Sequence, residues 1–356
     1  GCGCGNPAAL DGYDCNGNPI ISTQYIQLET GWNLWSTYMD ETGSMSALFE
    51  QIENDVIIVK DQNGNVYWPE YELNSIGGLT IGEGYQAKMS QLSNLVISGS
   101  VVSYNQEINL GEGWNIMGYL HQDFGDIVQF FEPYAAGVVI VKDEDGNVYW
   151  PEYELNSIGN MFPGEGYQIK NSMNLSFSYQ DIDDGRLSFI EEVNSRHFEQ
   201  PNITGNNMTI LFPFEIIKEF LNENDELAVY DQNGLLVGST VVSNEHTVIT
   251  VWGDDITTLD KDGMSEGEEI LFKVWQAHTD TESDIEIICS EGNSVYSINA
   301  ISIVGAIIAE GIELSSPIQL VKTIDVLGRE FDKTRKNTLH LNLYNDGSVN
   351  KQYVVD

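Results

Sequence analysis

Hydrophobic and polar residues alternate over short stretches along most of this chain of 356 residues. Short runs rich in Val, Ile, Tyr and Trp, bounded by Gly, Asn and Asp, are typical of β-strands. Two such runs joined by Asn-Gly or Asp-Gly predict a hairpin, and the sequence has three of them, at 56–68, 138–150 and 226–242. Apolar residues recur at helical spacing in three stretches, 45–52, 126–134 and 212–225. The pattern therefore predicts a mainly β protein with a few short helices.

One long segment occurs twice, 82 residues apart. VIIVKDQNGNVYWPEYELNSIG at 56–77 returns as VVIVKDEDGNVYWPEYELNSIG at 138–159, with three differences in 22 positions. The pairs GWNLW and GWNIM, and GEGYQAK and GEGYQIK, keep the same offset. A fixed offset indicates tandem copies of one structural unit. We therefore expect two small β-rich modules, at 21–98 and 99–177.

The pattern changes after the second copy. Strands separated by frequent turn residues predict a β-sandwich domain over 178–305. Residues 306–317 are expected to be a linker, and residues 1–20 a linker that carries cysteines. The last segment, 318–356, predicts a small antiparallel sheet that is too short to build much of a core alone.

The charge of the chain is strongly negative. Asp and Glu number 55 against 15 Lys and Arg, which gives a formal net charge of −40. Because phosphate binding needs clustered Lys and Arg, we expect no nucleic-acid partner, and anionic lipid surfaces are disfavoured. Two interpretations of the acidity stay open: solubility in a salty medium, and binding of Ca²⁺ through carboxylate oxygens. No apolar run is long enough to span a membrane as a helix.

The cysteines are unevenly placed. Cys2, Cys4 and Cys15 crowd the first residues, which predicts a disulfide formed in an oxidising compartment. The pairing stays open between Cys4–Cys15 and Cys2–Cys15. Cys289 is expected to be an ordinary buried strand cysteine. The chain has no initiator Met or signal peptide, so we expect it to be the C-terminal piece of a longer or processed protein.

Motifs of known catalytic centres are missing from the sequence. None of the five His forms an HExxH motif or a pair at ligand spacing, and no GxSxG elbow occurs. Carboxylate pairs carry little information in so acidic a chain. We therefore expect this fragment not to be an enzyme, and an upstream catalytic domain stays open.

Several turns combine Asp, Asn and Gly, a combination that suits Ca²⁺ as well as hairpins. None of them has the Glu that closes an EF-hand loop. For turns flanked by strands we expect hairpins, whereas for DIDDG at 181–185, between two domains, both interpretations stay open. No cofactor other than Ca²⁺ is expected. The candidate metal ligands are Asp181, Asp183 and Asp184.

Each module contains the aromatic segment VYWPEYE. Aromatic rings can support a sugar ring while carboxylates bind its hydroxyls, and the Pro marks a strand end where aromatic residues are often accessible. The favoured alternative is that these Trp, together with Trp32 and Trp114, are core residues. The candidate glycan-binding residues are Tyr67, Trp68, Tyr71, Tyr149, Trp150 and Tyr153.

The last segment concentrates basic residues, six of the 15 in the chain. It contains DVLGRE, a polar loop, and then an aromatic residue, Asp-Gly and a Lys near the end. This pattern, confined to 318–356, resembles the type A C-terminal sorting domain of type IX secretion cargo from Bacteroidota. The matching residues are Asp325, Leu327, Gly328, Arg329, Glu330, Tyr344, Asp346, Gly347 and Lys351.

The resemblance implies export through the periplasm and the type IX translocon, capture by an outer-membrane shuttle barrel, and cleavage with attachment to the cell surface or release. The cysteine-containing linker and the tandem units also resemble parts of large secreted proteins of this phylum. The expected function is therefore the C-terminal part of a large secreted cell-surface protein, adhesin-like or stalk-like, that contacts surface glycans, host cells or neighbouring cells. Two alternatives stay open: a carbohydrate-binding auxiliary region of a secreted hydrolase, and a fragment trapped with the export machinery.

Overall fold

The chain is mainly β, as the sequence predicts. The structure, a computed structural model, describes residue 15 and residues 21–41, 43–182, 197–309, 320–324, 329, 338–344 and 349–354. Within these residues the strands form separate sheets for two modules, a third domain and a C-terminal sheet. The three hairpins predicted from the sequence are confirmed.

Module 1 has a five-stranded sheet of order β2-β7-β4-β5-β6 and a three-stranded sheet of order β1-β8-β3. Between them lies a core in which Trp35 stacks on Tyr85 and packs edge-to-face on Phe49. Ser44 caps the helix by accepting the Ala47 N–H. The elements are β1 Ser22–Leu28, β2 Gly31–Trp35, β3 Met39–Asp40, α1 Met45–Phe49, a 3-10 helix Glu50–Asp55, β4 Val56–Lys60, β5 Val66–Trp68, a 3-10 helix Pro69–Tyr71, β6 Leu73–Asn74, β7 Tyr85–Met89 and β8 Ser93–Val101.

Module 2 repeats the five-stranded sheet in the order β10-β16-β12-β13-β14 and adds two small sheets, β11-β15 and β17-β9. Asp126 caps its helix by accepting the Val128 N–H. The shared strand order confirms that the repeated sequence encodes one repeated unit. The elements are β9 Ile108–Leu110, β10 Gly113–Gly118, β11 Gly125–Asp126, α2 Ile127–Phe131, a 3-10 helix Glu132–Tyr134, β12 Val138–Lys142, β13 Val148–Trp150, a 3-10 helix Pro151–Tyr153, β14 Leu155–Asn156, β15 Asn160–Met161, β16 Gly166–Asn171 and β17 Leu175–Phe177.

The two modules pack against each other with approximate two-fold symmetry. The Ser36 N–H donates to the Gly164 carbonyl, and at the equivalent positions the Gly118 N–H donates to the Gly82 carbonyl; both N···O distances are 2.8 Å. Two antiparallel β-bridges, Trp35–Glu165 and Glu83–Met117, are equivalent to each other in the same way. Because each contact has a counterpart 82 residues away, the same module surface is used twice, as in an isologous dimer.

The glycines of the GEGY segments allow this close approach. A Cβ atom on Gly84 would lie 2.7 Å from the Met117 carbonyl oxygen, and one on Gly166 would lie 2.9 Å from the Trp35 carbonyl oxygen. Any side chain at either position would therefore push the modules apart.

The third domain (residues 197–309) is one seven-stranded sheet of order β20-β19-β22-β23-β24-β18-β21. The sheet is nearly closed, since its end strands approach each other: a Cβ on Gly238 of β20 would lie 2.6 Å from the Thr250 carbonyl oxygen of β21. The predicted sandwich is thus one curved sheet around its own core. The elements are β18 Asn207–Phe212, α3 Phe214–Ile217, β19 Glu226–Tyr230, β20 Leu236–Val241, β21 Thr247–Trp252, β22 Leu271–Gln276, β23 Thr281–Glu291 and β24 Ile301–Ala309.

Two predicted boundaries are displaced. Strand β8 continues to Val101, past the expected end of module 1 at 98. Strand β24 continues to Ala309, so the linker expected at 306–317 begins inside a strand, where β24 pairs with β23. Both strands have partners that the local sequence does not reveal.

The C-terminal sheet consists of three antiparallel strands in the order β25-β26-β27. This arrangement confirms the small antiparallel sheet that the sequence predicts. Among the described residues, these strands pair only with each other. The strands are β25 Leu320–Ile324, β26 Thr338–Tyr344 and β27 Val349–Val354.

Candidate binding surface

The five-stranded sheet of each module has one face that points away from the module core. Residues directly opposite each other in neighbouring strands share a face. In module 1, the register places Trp68 opposite Leu73. We call this surface the tryptophan face. Its members include Trp32, Ile58, Lys60, Val66, Trp68, Leu73 and Lys88 in module 1, with Tyr71 packed on Trp68, and Trp114, Ile140, Lys142, Val148, Trp150, Leu155 and Lys170 in module 2.

The tryptophan face of module 2 is covered by the third domain. Trp150 is 2% exposed and belongs to an apolar cluster with Leu211 of β18 and Ile303 of β24. Tyr153 packs edge-to-face on His246, with ring centroids 5.5 Å apart. The Thr250 hydroxyl donates to the Gly146 carbonyl at 2.8 Å. This interface is therefore an apolar sheet-on-sheet contact with a polar rim.

A buried lysine forms part of the same interface. The Lys142 ammonium donates to Asn207 Oδ1 at 2.7 Å and lies 4.6 Å from the centre of the Trp114 ring. Burial, together with the nearby charge of Lys170, lowers the pKa of Lys142 to about 7. The Trp114 indole N–H donates to the Asn299 carbonyl at 3.1 Å, so polar groups near the symmetry axis are bonded to the third domain.

The third domain also contacts the inner half of the module 1 face. This half lies on β2 and β7, towards module 2, and contains Trp32 and Lys88. One carboxylate oxygen of Asp255 accepts the Trp32 indole N–H and the Lys88 ammonium, each at 2.6 Å. Lys88 also donates to the Thr257 hydroxyl at 2.7 Å. A Cβ on Gly205 would lie 2.8 Å from the Trp32 ring, so only glycine permits this packing.

The outer half of the module 1 face is open. Val66 and Trp68 are half-buried, whereas Tyr71 is 63% exposed and Leu73 is 45% exposed. A Cβ atom on Gly64, the counterpart of Gly146, would meet no other atom within 4 Å, whereas one on Gly146 would contact Thr250. We call Val66, Trp68, Tyr71 and Leu73 the open half-face.

Symmetry explains why one half-face is open. The two modules present two nearly identical tryptophan faces, related by the approximate two-fold axis. The third domain occurs once and has no such symmetry, so it can bind the inner halves of both faces but the outer half of only one. The sequence reveals the duplication but not this unequal use of its two copies.

The predicted glycan-binding residues do not form one exposed platform. Tyr67 and Tyr149 lie in the module cores, and Trp150 is buried against the third domain. The accessible aromatic pair is Trp68 and Tyr71, whose rings meet edge-to-face with centroids 4.7 Å apart. Tyr153, which is half-buried, packs on the third domain.

The expectation that Trp32 and Trp114 are module core residues is wrong. Both are half-buried on the tryptophan face, and both donate their indole N–H groups to the third domain. Successive residues of a strand point to opposite faces, and in module 1 the inward position belongs to Trp35.

The other predicted site residues are only partly described. Asp181 is exposed, and its carboxylate accepts the Tyr104 hydroxyl. Asp183 and Asp184 lie outside the described residues, within which no group of three His, Cys, Asp or Glu is placed to hold a metal. Ca²⁺ binding thus stays a prediction.

Two of the four cysteines, Cys15 and Cys289, are among the described residues. Cys15 is disulfide-bonded, and both candidate partners, Cys2 and Cys4, lie outside the described residues, so the pairing stays open. Cys289 is a half-buried free thiol in β23, and burial raises its pKa.

Three residues of the predicted sorting signal are described. Arg329 and Lys351 are exposed, and Tyr344 ends β26. The others, Asp325, Leu327, Gly328, Glu330, Asp346 and Gly347, lie outside the described residues.

Two acidic residues, Asp143 and Glu144, lie where the modules meet. Glu144 accepts the Leu34 N–H at 2.8 Å, and at the equivalent positions Gln62 Oε1 accepts the Ile116 N–H at 3.1 Å. Burial raises the pKa of Glu144, and also that of its neighbour Asp143, to about 7. Both side chains are half-buried rather than fully buried, so we expect a moderate effect on stability.

The stability of the molecule should therefore fall as the pH rises from about 4 to about 7. The folded state holds these protons up to about pH 7, whereas ordinary pKa values of 3.8 and 4.5 release them in the unfolded chain. Glu144→Gln, which copies the residue that module 1 has at this position, should flatten the dependence. Thermal unfolding measured across this range checks it, with Glu152→Gln, an exposed site, as control. An unchanged slope in Glu144→Gln would contradict the assignment.

Comparisons with known proteins add no relative. No family, no curated protein and no solved structure matches the chain. Within the described ranges, no helix has the length and apolar character needed to cross a membrane.

Proposed function

We propose that the chain is the C-terminal part of a secreted cell-surface protein, in which residues 21–309 form a stiff display or adhesive structure and residues 318–356 direct type IX export. The observation that carries the proposal is that the C-terminal strands form a sheet of their own. Its described strands pair only with each other, and the apolar cores of the described residues lie within 26–307. The tail is therefore suited to recognition and removal by other proteins without loss of the body.

The body supports the structural half of the proposal. Two modules that use the same surface reciprocally, with a third domain bonded to both, leave little freedom between units. Such an arrangement differs from modules joined like beads by free linkers. A stiff body of high negative charge suits a protein exposed to an aqueous medium outside the cell.

The export role is tested with the tail fused to a fluorescent protein that carries a signal peptide, in a type IX secreting bacterium. We expect fluorescence at the surface or in the medium, and loss of that signal when the secretion system is deleted. Arg329→Ala and Lys351→Ala, both exposed residues of the motif, should retain the fusion in the periplasm. Lys322→Ala, an exposed lysine of the same sheet outside the motif, is the matched control.

Periplasmic retention of the unaltered fusion would have one remaining explanation compatible with export, namely a need for the third domain. A fusion of residues 197–356 addresses that explanation. If this longer fusion also stays in the periplasm, the proposed sorting role is wrong.

A further inference from the structure

The outer surface of the third domain continues past the area that module 2 covers. In β24, Ile301 and Ile303 pack on the tryptophan face of module 2. Beyond a bulge in the same strand, Ile307 points into the core, which places its neighbour Ile308 on the outer surface, 48% exposed. Across the strand pair, Ile288 lies opposite Ala306 and is 54% exposed. We call Ile288, Ala306 and Ile308 the exposed sheet.

The chain thus exposes two further surfaces, each of which resembles one side of the covered interface between module 2 and the third domain. The open half-face of module 1 is a copy of the surface that binds the third domain, and the exposed sheet continues the surface that is bound. A Trp and a Leu on one side meet branched aliphatic side chains on the other in the covered interface, and the same residue types are available on both open surfaces. Unpaired apolar patches on a protein this acidic suggest interaction sites.

We propose that these chains associate head to tail, with the open half-face of module 1 in one copy seated on the exposed sheet of the third domain in the next. The two surfaces lie on different domains, so the contact is heterologous. Each added copy leaves one open half-face and one exposed sheet, and assembly continues until a ring closes or a filament forms. The proposal goes beyond the proposed function, because it requires neither export nor attachment to a cell.

Charge sets the conditions under which this contact forms. Glu70 and Glu72 border the open half-face, and Glu286 lies opposite Ile308 on the exposed sheet; all three are exposed. These like charges, and the net charge of −40, oppose association at low ionic strength. Salt screens them and leaves the apolar contact, so association should strengthen as salt is added.

Sedimentation velocity of the whole chain tests the proposal, at rising protein concentration and at low and high salt. We expect a series of species larger than the monomer, favoured by salt. Leu73→Glu and Ile308→Glu each place a charge in the contact and should raise the apparent Kd by at least about tenfold. Both residues are about half-exposed, so neither variant should unfold. Leu92→Glu, at an equally exposed leucine of module 1 outside the tryptophan face, is the matched control.

Mixing the two charged variants distinguishes the head-to-tail contact from a symmetric one. The Leu73→Glu chain keeps an intact exposed sheet, and the Ile308→Glu chain keeps an intact open half-face. Each variant alone should associate more weakly than the unaltered chain by the same factor of at least about ten, but a mixture should form a one-to-one complex with the affinity of the unaltered contact that grows no further. A symmetric contact between two module 1 faces predicts instead that Ile308→Glu associates as well as the unaltered chain.

Three results would overturn the proposal. The first is a chain that stays monomeric at every concentration and salt tested. The second is association that Ile308→Glu or Leu73→Glu leaves unchanged. The third is a monomer that binds soluble polysaccharides through Trp68 and Tyr71, which would make the open half-face a glycan site. None of these outcomes depends on the export test.

Discussion

Replacing Trp150 by alanine is expected to lower the free energy of unfolding by about 3–5 kcal/mol, as for other large side chains removed from a core. The indole is 2% exposed and fills the contact between module 2 and the third domain, where it packs with Leu211 and Ile303. The indole N–H has no hydrogen-bond partner among the described residues, so the loss is one of packing and cavity formation.

Trp68→Ala is the matched control, since residues 64–77 and 146–159 are identical in sequence. Trp68 is half-buried on the open half-face, and its removal should cost about 1–2 kcal/mol. Equilibrium urea unfolding of both variants measures the difference, and calorimetry shows whether the domains still unfold together. Equal losses for the two variants would mean that the third domain does not depend on Trp150.

Replacing Asp255 by alanine should cost a similar amount, about 3–5 kcal/mol, because it leaves a buried ammonium without its counter-charge. Asp255 accepts the Lys88 ammonium and the Trp32 indole N–H, and its other oxygen accepts from Thr257. Burial opposes ionisation, but these hydrogen bonds outweigh it and lower the pKa of Asp255. The carboxylate therefore binds the third domain to module 1.

The double variant Lys88→Met with Asp255→Leu distinguishes the charge from the packing. If the loss in Asp255→Ala comes from the unpaired Lys88, removal of both charges should recover most of it, and the single effects will not add. Urea unfolding of Lys88→Met, Asp255→Leu and the double variant completes the cycle. A double variant as unstable as the sum of the single ones would contradict the role of this ion pair.

Features that depend on neighbouring residues were predictable from the sequence. The three hairpins follow from turn residues between alternating strands, and the tandem modules follow from a constant offset. The three short helices occur where apolar spacing predicts them, although α3 is a single turn within the predicted stretch 212–225. In each case the information lies within a few residues of the element.

Features that depend on contacts between domains were not predictable. Trp68 and Trp150 have the same neighbours in sequence, yet the third domain covers only Trp150. Strand alternation offers two faces for Trp32, and the partner of its outward indole N–H is Asp255, 223 residues away in the chain. The candidate surface is therefore a consequence of tertiary packing, which local pattern alone does not encode.

The near-identity of the two tryptophan faces has a consequence for how the chain reaches its native state. During synthesis both faces exist before the third domain is complete, so we expect that domain to be able to dock on either one. Only positions 57/139, 62/144 and 63/145 differ within the repeated segment, so we expect the two docked states to differ little in free energy. Mis-docked molecules would be compact, would retain every strand, and would convert only by releasing an apolar interface. We therefore expect kinetic partitioning between two such states during folding, and we expect the different partners of Trp32 and Trp114, namely Asp255 and the Asn299 carbonyl, to favour the native one.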